Sequence, residues 1–516
     1  MMTSPPATPD IVLRLAGITK RFGPLVANDT IGFALRRGEI VALLGENGAG
    51  KTTLMNILFG HYVADEGEIE IFGRKLPPGS PRAAIAAGIG MVHQHFTLAE
   101  NLNVLDNIML GTEGLWRWAT DRRTARQRLD KLAADFGLHI DGDARVADLS
   151  VGERQRVEIL KVLYREARIL ILDEPTAVLT PQESIALFQT LAKLVAQGLS
   201  VIFISHKLNE VLAVSSRILV LRGGKLVAER PTAETTKAEL ASLMVGREIP
   251  PPRIEPQAPG AVVVRLVDLR VDGPGGAVLL DGVSLELREG EILGIAGVAG
   301  NGQSALADLL SGLSVPAAGT VDLFGESVHE WQPRAVIDRG IGRIPEDRHA
   351  AGTIADMSVA ENAIAEIYRQ PEFARRGFVD WPRARAFAQG IIADYDVKCP
   401  SSSAPMRLLS GGNMQKLILG RVLSQSPRLV LANQPTRGLD VGAIDYVHRQ
   451  LLAVRKDGGS VLLISEDLDE LLSLADRIAV MYRGHLSAPM ERAAVTIERL
   501  GLMMAGHGFE GTGHAA

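Results

Sequence analysis

The chain has 516 residues, 46 % of them hydrophobic and 22 % charged, so it can bury a large core, and at roughly 150 residues per domain it suggests about three domains or two large ones. Lys and Arg number 55 against 60 Asp and Glu, a formal net charge of −5, which argues against a general nucleic-acid binder. Aromatic residues at 4 % leave little for stacking single-stranded bases, the lone Cys399 excludes a disulfide framework or a four-cysteine metal site, and no run of about eighteen apolar residues is present to span a bilayer. Met1 to Asp10 carries prolines and no basic-then-apolar pattern, so no export signal is expected and a large cytoplasmic protein is.

In chain order, Ile40–Leu44 is the first short, unbroken apolar run; Ile169–Leu172 and Val201–Ile204 are two more. Such runs predict strands buried on both faces, and the longer helical patterns between them predict a parallel sheet covered by helices, with ligands at the carboxyl ends of the strands. Directly after the first run, Gly45-Glu46-Asn47-Gly48-Ala49-Gly50-Lys51-Thr52 fits G-x-x-x-x-G-K-[ST]. The glycines let the backbone curl with its N–H groups inward, and the next helix adds its positive end, which suits phosphate. Lys51 is placed to reach the β/γ-phosphates and Thr52 to offer a hydroxyl to Mg²⁺. Further on, Ser150 and Glu153 stand at capping-box spacing and open a helix. The run Ile169–Leu172 ends in Asp173-Glu174, one carboxylate for the Mg²⁺ shell and one to orient or deprotonate an attacking water.

The pattern then repeats. Gly38–Gly45 is matched by Gly290–Gly297, Leu149–Gly152 by Leu409–Gly412 and Pro175-Thr176 by Pro435-Thr436, in the same order about 250 to 260 residues later, too long a period for a solenoid. A duplicated domain is expected, with about eight residues inserted in the second copy. The seam is Glu248 to Gly260, rich in proline and without apolar periodicity, which reads as an extended spacer. The expected organisation is a first domain over 1–247, a linker over 248–260, a second domain over 261–504 and a flexible tail over 505–516.

The order Gly45–Thr52, Gln94, Ser150–Gln155, Asp173–Glu174, His206 resembles the nucleotide-binding domain of ABC ATPases, twice over nearly the whole chain. The resemblance implies an α/β fold of two tandem P-loop NTPase (ABC ATPase) domains, each with a mainly parallel sheet core, an antiparallel β portion and a helical signature subdomain. It implies ATP and Mg²⁺ as cofactors. ATP would be held by Gly45, Glu46, Asn47, Gly48, Ala49, Gly50, Lys51, Thr52 and Thr53, with adenine stacked on Phe22. Thr52, Gln94 and Asp173 would serve the metal, and Gln94 would also sense the membrane partner. His206 would contact the γ-phosphate, and Glu174, His206, Gln94 and Lys51 would carry catalysis.

The second copy keeps the shape and loses the chemistry. Gly297, Gly302 and Ser304 match the loop, but Gln303 replaces the lysine; Glu346, Asn433, Gln434 and Glu466 stand where the first copy has Gln94, Asp173, Glu174 and His206. Amides hold metal weakly and cannot act as a base. ABC domains pair head to tail, so the intact loop would face Ser410, Gly411, Gly412, Asn413 and Gln415, close to the family's LSGGQ. The degenerate loop would face Ser150 and Gly152, beside Val151 and Glu153, which depart from that motif. The defects thus collect in one composite site.

Two fused domains, Thr176–Pro181 after the carboxylates and Pro435–Gly442 in the second copy resemble the ATPases of monosaccharide and nucleoside importers. Met91–Phe96 and Ile344–His349 look most like the purine-nucleoside (basic-membrane-protein) branch. The resemblance implies an ATP-hydrolysing motor at the cytoplasmic face of the inner membrane. It would be held peripherally by two integral-membrane permease subunits, or a homodimer of one. An extracytoplasmic solute-binding protein would act through the permease, and no nucleic acid is involved. Phe96, Leu98 and Leu102, and in the second copy Glu346 to Glu361, would receive the permease. The alternatives are a monosaccharide importer and, in a different class, a soluble ABC ATPase such as a translation factor. The latter carries a long charged linker and two intact sites.

Overall fold

A computed structural model of the chain describes residues 10–93, 96–112, 121–176, 179, 181–205, 207–248, 254–328 and 331–509. The chain divides into two compact units, Met1–Pro250 and Pro251–Ala516.

In the first unit a six-stranded sheet runs in the order Lys225–Pro231, Arg217–Arg222, Ile40–Gly45, Ser200–Ile204, Ile169–Asp173, Ile89–Val92. Its pairs are parallel except at the Lys225–Pro231 edge. Ile40–Gly45, Ile169–Asp173 and Ser200–Ile204 are buried along their whole length, which is why they read as unbroken apolar runs rather than alternating ones. A second, antiparallel sheet orders Leu25–Arg36, Ile11–Phe22, Glu66–Ile71 and Arg74–Lys75. Leu54, Met55 and Leu58 of helix Lys51–Phe59 join both sheets in one core with Ile18, Leu35 and Ile171. That packing fixes the helix, and so aims its N-terminal loop at the carboxyl end of Ile40–Gly45. Helices Val104–Met109, Arg122–Phe136 and Val151–Tyr164 make the helical portion.

The second unit repeats the plan. Its parallel core orders Ile341–Ile344, Leu429–Asn433, Ser460–Ser465, Ile292–Ala296 and Arg477–Tyr482, and its antiparallel sheet orders Val278–Arg288, Val262–Asp272, Ala318–Leu323 and Glu326–Ser327. The inserted residues fall between Ile344 and Trp381, where a π-helical turn, Arg348–Gly352, and a small hairpin, Ala374–Arg375 with Phe378–Val379, occur. Beyond Met504 the chain stays packed as far as Phe509: the His507 N–H donates to the Leu502 carbonyl (2.9 Å) and the Phe509 ring lies 5.7 Å from that of Tyr482.

Candidate nucleotide site

The loop Gly45–Gly50 joins the strand Ile40–Gly45 to the helix Lys51–Phe59. Gly50, with φ 97°, caps that helix, and a Cβ there would run into the Ala27 carbonyl, so the chain can pass only as glycine. Buried Asn28 donates from Nδ2 to the Gly50 carbonyl (3.0 Å), pinning the end of the loop. Lys51 is 7 % exposed and its ammonium donates to the carbonyls of Gly45 (2.6 Å) and Glu46 (3.0 Å). The cation is thus held over the loop, while Thr52 beside it is exposed.

Asp173 ends its strand, buried, with Glu174 next to it. Burial, then the Glu174 charge, push the Asp173 carboxyl up from its ordinary range, against an opposing pull from Lys51. Glu174 holds φ 47°, a left-handed conformation that costs a non-glycine residue about 1 kcal/mol or more, and its N–H donates to the Ile204 carbonyl (2.9 Å). Behind it Glu210 accepts from the hydroxyls of Thr176 (2.5 Å) and Ser205 (3.0 Å), and the Lys207 N–H donates to Ser205 Oγ (3.0 Å). This hub fixes the residues on both sides of position 206. His206 itself, like Gln94, lies outside the described residues.

Phe22 is 43 % exposed at the end of its strand, with Tyr62 edge-on at 5.6 Å and Lys20 Nζ 5.4 Å from its ring centre. Tyr62 was not foreseen, because it comes from a turn forty residues away in sequence and nothing local marks it. After position 95, the Thr97 N–H (2.6 Å) and hydroxyl (3.0 Å) donate to Glu158 of helix Val151–Tyr164, and Asn107 brackets Ala99 through both its N–H and its carbonyl. Phe96, Leu98 and Leu102 are half-buried here.

The signature turns differ. Ser150 and Glu153 form the full reciprocal cap: Ser150 donates its N–H (2.9 Å) and its hydroxyl (2.8 Å) to the Glu153 carboxylate, which holds that carboxyl below its usual range. Ser410 makes no side-chain cap on its helix, Gly411–Leu423; its Oγ accepts from Asn413 Nδ2 (2.8 Å), and Asn413 Oδ1 accepts from the Lys398 N–H (2.8 Å).

In the second unit the loop Gly297–Gly302 has the same course, and Gly302 (φ 115°) caps the helix Gln303–Leu310. Gln303 folds back on it: Nε2 donates to the Val298 carbonyl (2.9 Å) and Oε1 accepts from the Asn301 N–H (3.2 Å). Unlike an ammonium, the amide uses up an inward N–H. Asn433 ends its strand, and Gln434 keeps the left-handed φ of 49° and the bond to the Ile464 carbonyl (2.8 Å). The Glu466 N–H donates to Gln434 Oε1 (3.3 Å). Ser304 is exposed, next to that loop.

The family model for the ABC transporter matches residues 28–177 and 280–437, and both stretches begin before a phosphate loop and end just beyond the strand-end pair. The chain belongs to the ABC transporter family. Its two units are both ABC ATPase domains. The chain is 43 % identical to the nucleoside import ATP-binding protein NupA of Lactococcus lactis, over 96 % of this chain and 98 % of that protein. It is 44 % identical to the guanosine import ATP-binding protein NupO of Bacillus subtilis, with the same coverage. It is 43 % identical to the glucose import ATP-binding protein TsgD13 of Haloferax volcanii, covering 96 % of each. A chain in the solved complex of archaeal ribosomal stalk protein aP1 with archaeal ribosome recycling factor aABCE1 matches at TM-score 0.62 over 92 % of this chain and 90 % of that one; at 19 % identity this shows the shared fold. As an ABC ATPase the chain binds and hydrolyses ATP. Among the described residues no helix is long and apolar enough to cross a membrane.

Proposed function

We propose that this chain is the ATP-hydrolysing subunit of an ABC importer that takes up a nucleoside, working with two permease subunits at the cytoplasmic face of the membrane. The observation that carries the motor reading is the set in the first unit: Lys51 held over a glycine loop, next to a strand that ends in buried Asp173 and strained Glu174. The cargo reading rests on likeness to the NupA and NupO import proteins, and TsgD13 at the same identity keeps a sugar as the second reading.

In this reading Lys51 and the loop N–H groups hold the phosphates, Phe22 takes the adenine, and Glu174 orients the attacking water and accepts its proton. His206 and Gln94 complete the site. The donor set suits Mg²⁺: Thr52 is an exposed hydroxyl, Asp173 is a buried carboxylate crowded by Glu174, and such an ion takes one or two protein oxygens and the rest from phosphate and water. Bound there, it would neutralise phosphate charge. We infer further that the nucleotide on Lys51 is completed by the turn Ser410–Gln415, so that one site per chain turns over. The defects at Gln303, Asn433, Gln434, Val151 and Glu153 then fall together in the other. The limits 1–247, 248–260 and 261–504 belong to the same proposal.

The test is reconstitution with the permease and solute-binding protein, measuring ATPase stimulation by guanosine, adenosine, ribose and glucose. Stimulation by nucleosides alone supports the proposal; stimulation by a free sugar overturns the cargo assignment and leaves the motor reading intact.

A further inference from the structure

The segment after Ile344 holds the inserted residues of the second unit. Asp347 accepts from the N–H groups of His349 (2.8 Å) and Ala350 (2.9 Å), and the Thr353 hydroxyl donates to the Arg348 carbonyl (2.8 Å). These bonds fix the root of Arg348, and its side chain turns into the unit. Nη1 donates to the Arg437 carbonyl (2.8 Å), in the turn that follows Asn433-Gln434. Nε is buried and has no hydrogen-bond partner among the described residues. Arg437 in turn pairs with Glu346, at the head of the same segment.

Two glycines flank the guanidinium. A Cβ on Gly411, the first residue of the signature helix, would lie 3.1 Å from Nε and 3.3 Å from Nη2; one on Gly438 would lie 3.2 Å from Nη2. The planar group therefore lies between the signature turn and the Arg437–Gly438 turn, so close to both glycines that a side chain on either would have to shift it by a few tenths of an ångström. A lysine is neither planar nor forked and cannot fill that place while donating at its end. The first unit has Phe96 and Val151 at the matching positions, so it lacks both the arginine and the glycine. Arg348 is half-buried, and leaving its buried Nε without a hydrogen-bond partner is costly, which argues that its position is specified and not incidental.

We propose that Arg348 is a positioning residue for ATP hydrolysis: it sets the Ser410–Asn413 turn against the Arg437–Gly438 turn and passes movement of the Glu346–Glu361 segment to the signature turn. This rests on the pairing of that turn with the nucleotide on Lys51. The experiment uses the reconstituted transporter and four changes: Arg348→Ala, Arg348→Lys, Gly411→Ala and the double change Arg348→Ala/Gly411→Ala. Arg348→Ala is expected to lower kcat about tenfold with KM for ATP within about twofold, since the unit that holds the nucleotide is untouched. Arg348→Lys should fail to restore kcat. Gly411→Ala should reproduce the loss by displacing the guanidinium, and the double change should be no worse than the poorer single one, because both remove one contact.

Full kcat in Arg348→Ala, full restoration by lysine, or losses that multiply in the double change would overturn the assignment. A purely stabilising role would lower the unfolding temperature of the chain without this split between kcat and KM. Gly412→Asp separates the two layers. If it stops turnover while Arg348→Ala does not slow it, the Arg348 proposal alone fails; if Gly412→Asp is harmless, the pairing fails and the proposal falls with it.

Discussion

The two halves have made opposite choices with the same backbone. In the first, the phosphate loop carries an ammonium and the signature turn spends its N–H and hydroxyl on its own Glu153. In the second, the loop is closed on itself by Gln303, and the signature turn leaves Ser410 uncapped. What both retain is revealing. Gln434 keeps the left-handed φ of Glu174 and the same bond to the neighbouring strand, although an amide gains no catalytic return from the strain. The turn therefore belongs to the fold and does not depend on a carboxylate at that position.

The largest expected effects set Lys51 and Glu174 against their counterparts. Lys51→Ala should abolish ATP turnover by removing the cation from the phosphates, whereas Gln303→Ala should be mild. Glu174→Gln should slow turnover by about 10²–10⁴-fold and trap ATP, whereas Gln434→Ala should change it little. Steady-state hydrolysis and nucleotide trapping check both, with about one hydrolysable ATP per chain expected; two equal hydrolysis events per chain would erase the asymmetry. Next come the signature glycines. Among the described residues a Cβ on Gly412 meets only Ala443, at 3.6 Å, so Gly412→Asp should fold normally and stop turnover by placing an acid toward phosphate. A Cβ on Gly152 would run into the Glu183 carboxylate, so Gly152→Asp should lower the unfolding temperature and affect turnover less. Equal loss of activity with equal stability in the two would contradict the difference between the turns.

How much of this was legible beforehand follows from how local each signal is. The buried strands announced themselves as continuous apolar runs, and the phosphate loop, the strand-end carboxylates and the Ser150–Glu153 cap are all encoded within a few residues. The antiparallel sheet and helical portion came through the family resemblance, not through periodicity. Tyr62 beside Phe22, Glu210 behind Glu174 and Arg348 beside Gly411 were not legible, because each contact joins segments about 30 to 60 residues apart and depends on the packed fold. The packed turn through Phe509 was not legible for a related reason: glycine and histidine there carry no apolar pattern, and what holds the turn is the Leu502 carbonyl and the ring of Tyr482.

A smaller effect separates stability from chemistry at the two serines. Ser150→Ala removes a complete capping box and should cost about 1 kcal/mol of stability with turnover little changed. Ser410→Ala removes no side-chain cap, so stability should hold while turnover falls, because the hydroxyl is lost from the turn proposed to meet the nucleotide. Thermal unfolding and steady-state hydrolysis on the same preparations would show this crossing; parallel changes in both variants would mean that the two turns are used alike.

The smallest expected effect concerns Asp173. Its carboxyl is raised by burial and by Glu174, so the folded chain binds that proton more readily than the unfolded chain does. A raised acid contributes stability below its unfolded pKa, and the contribution is lost as pH rises through the folded value; at neutral pH the ionised group is a cost to the nucleotide-free chain. Asp173→Asn removes the charge and keeps the shape. The variant should therefore unfold at a higher temperature than the parent at neutral pH, with the gap closing as pH is lowered through the raised folded value toward the ordinary carboxyl range, because the folded parent takes up its proton before the unfolded chain does. Added ATP and Mg²⁺ should reverse the order, because only the parent offers a carboxylate to the ion, and ligand binding to the folded state alone raises its stability. An unfolding temperature for Asp173→Asn below that of the parent at neutral pH without nucleotide would show that the crowded acid is already compensated by Lys51, and that the first half stores no such cost for its nucleotide to relieve.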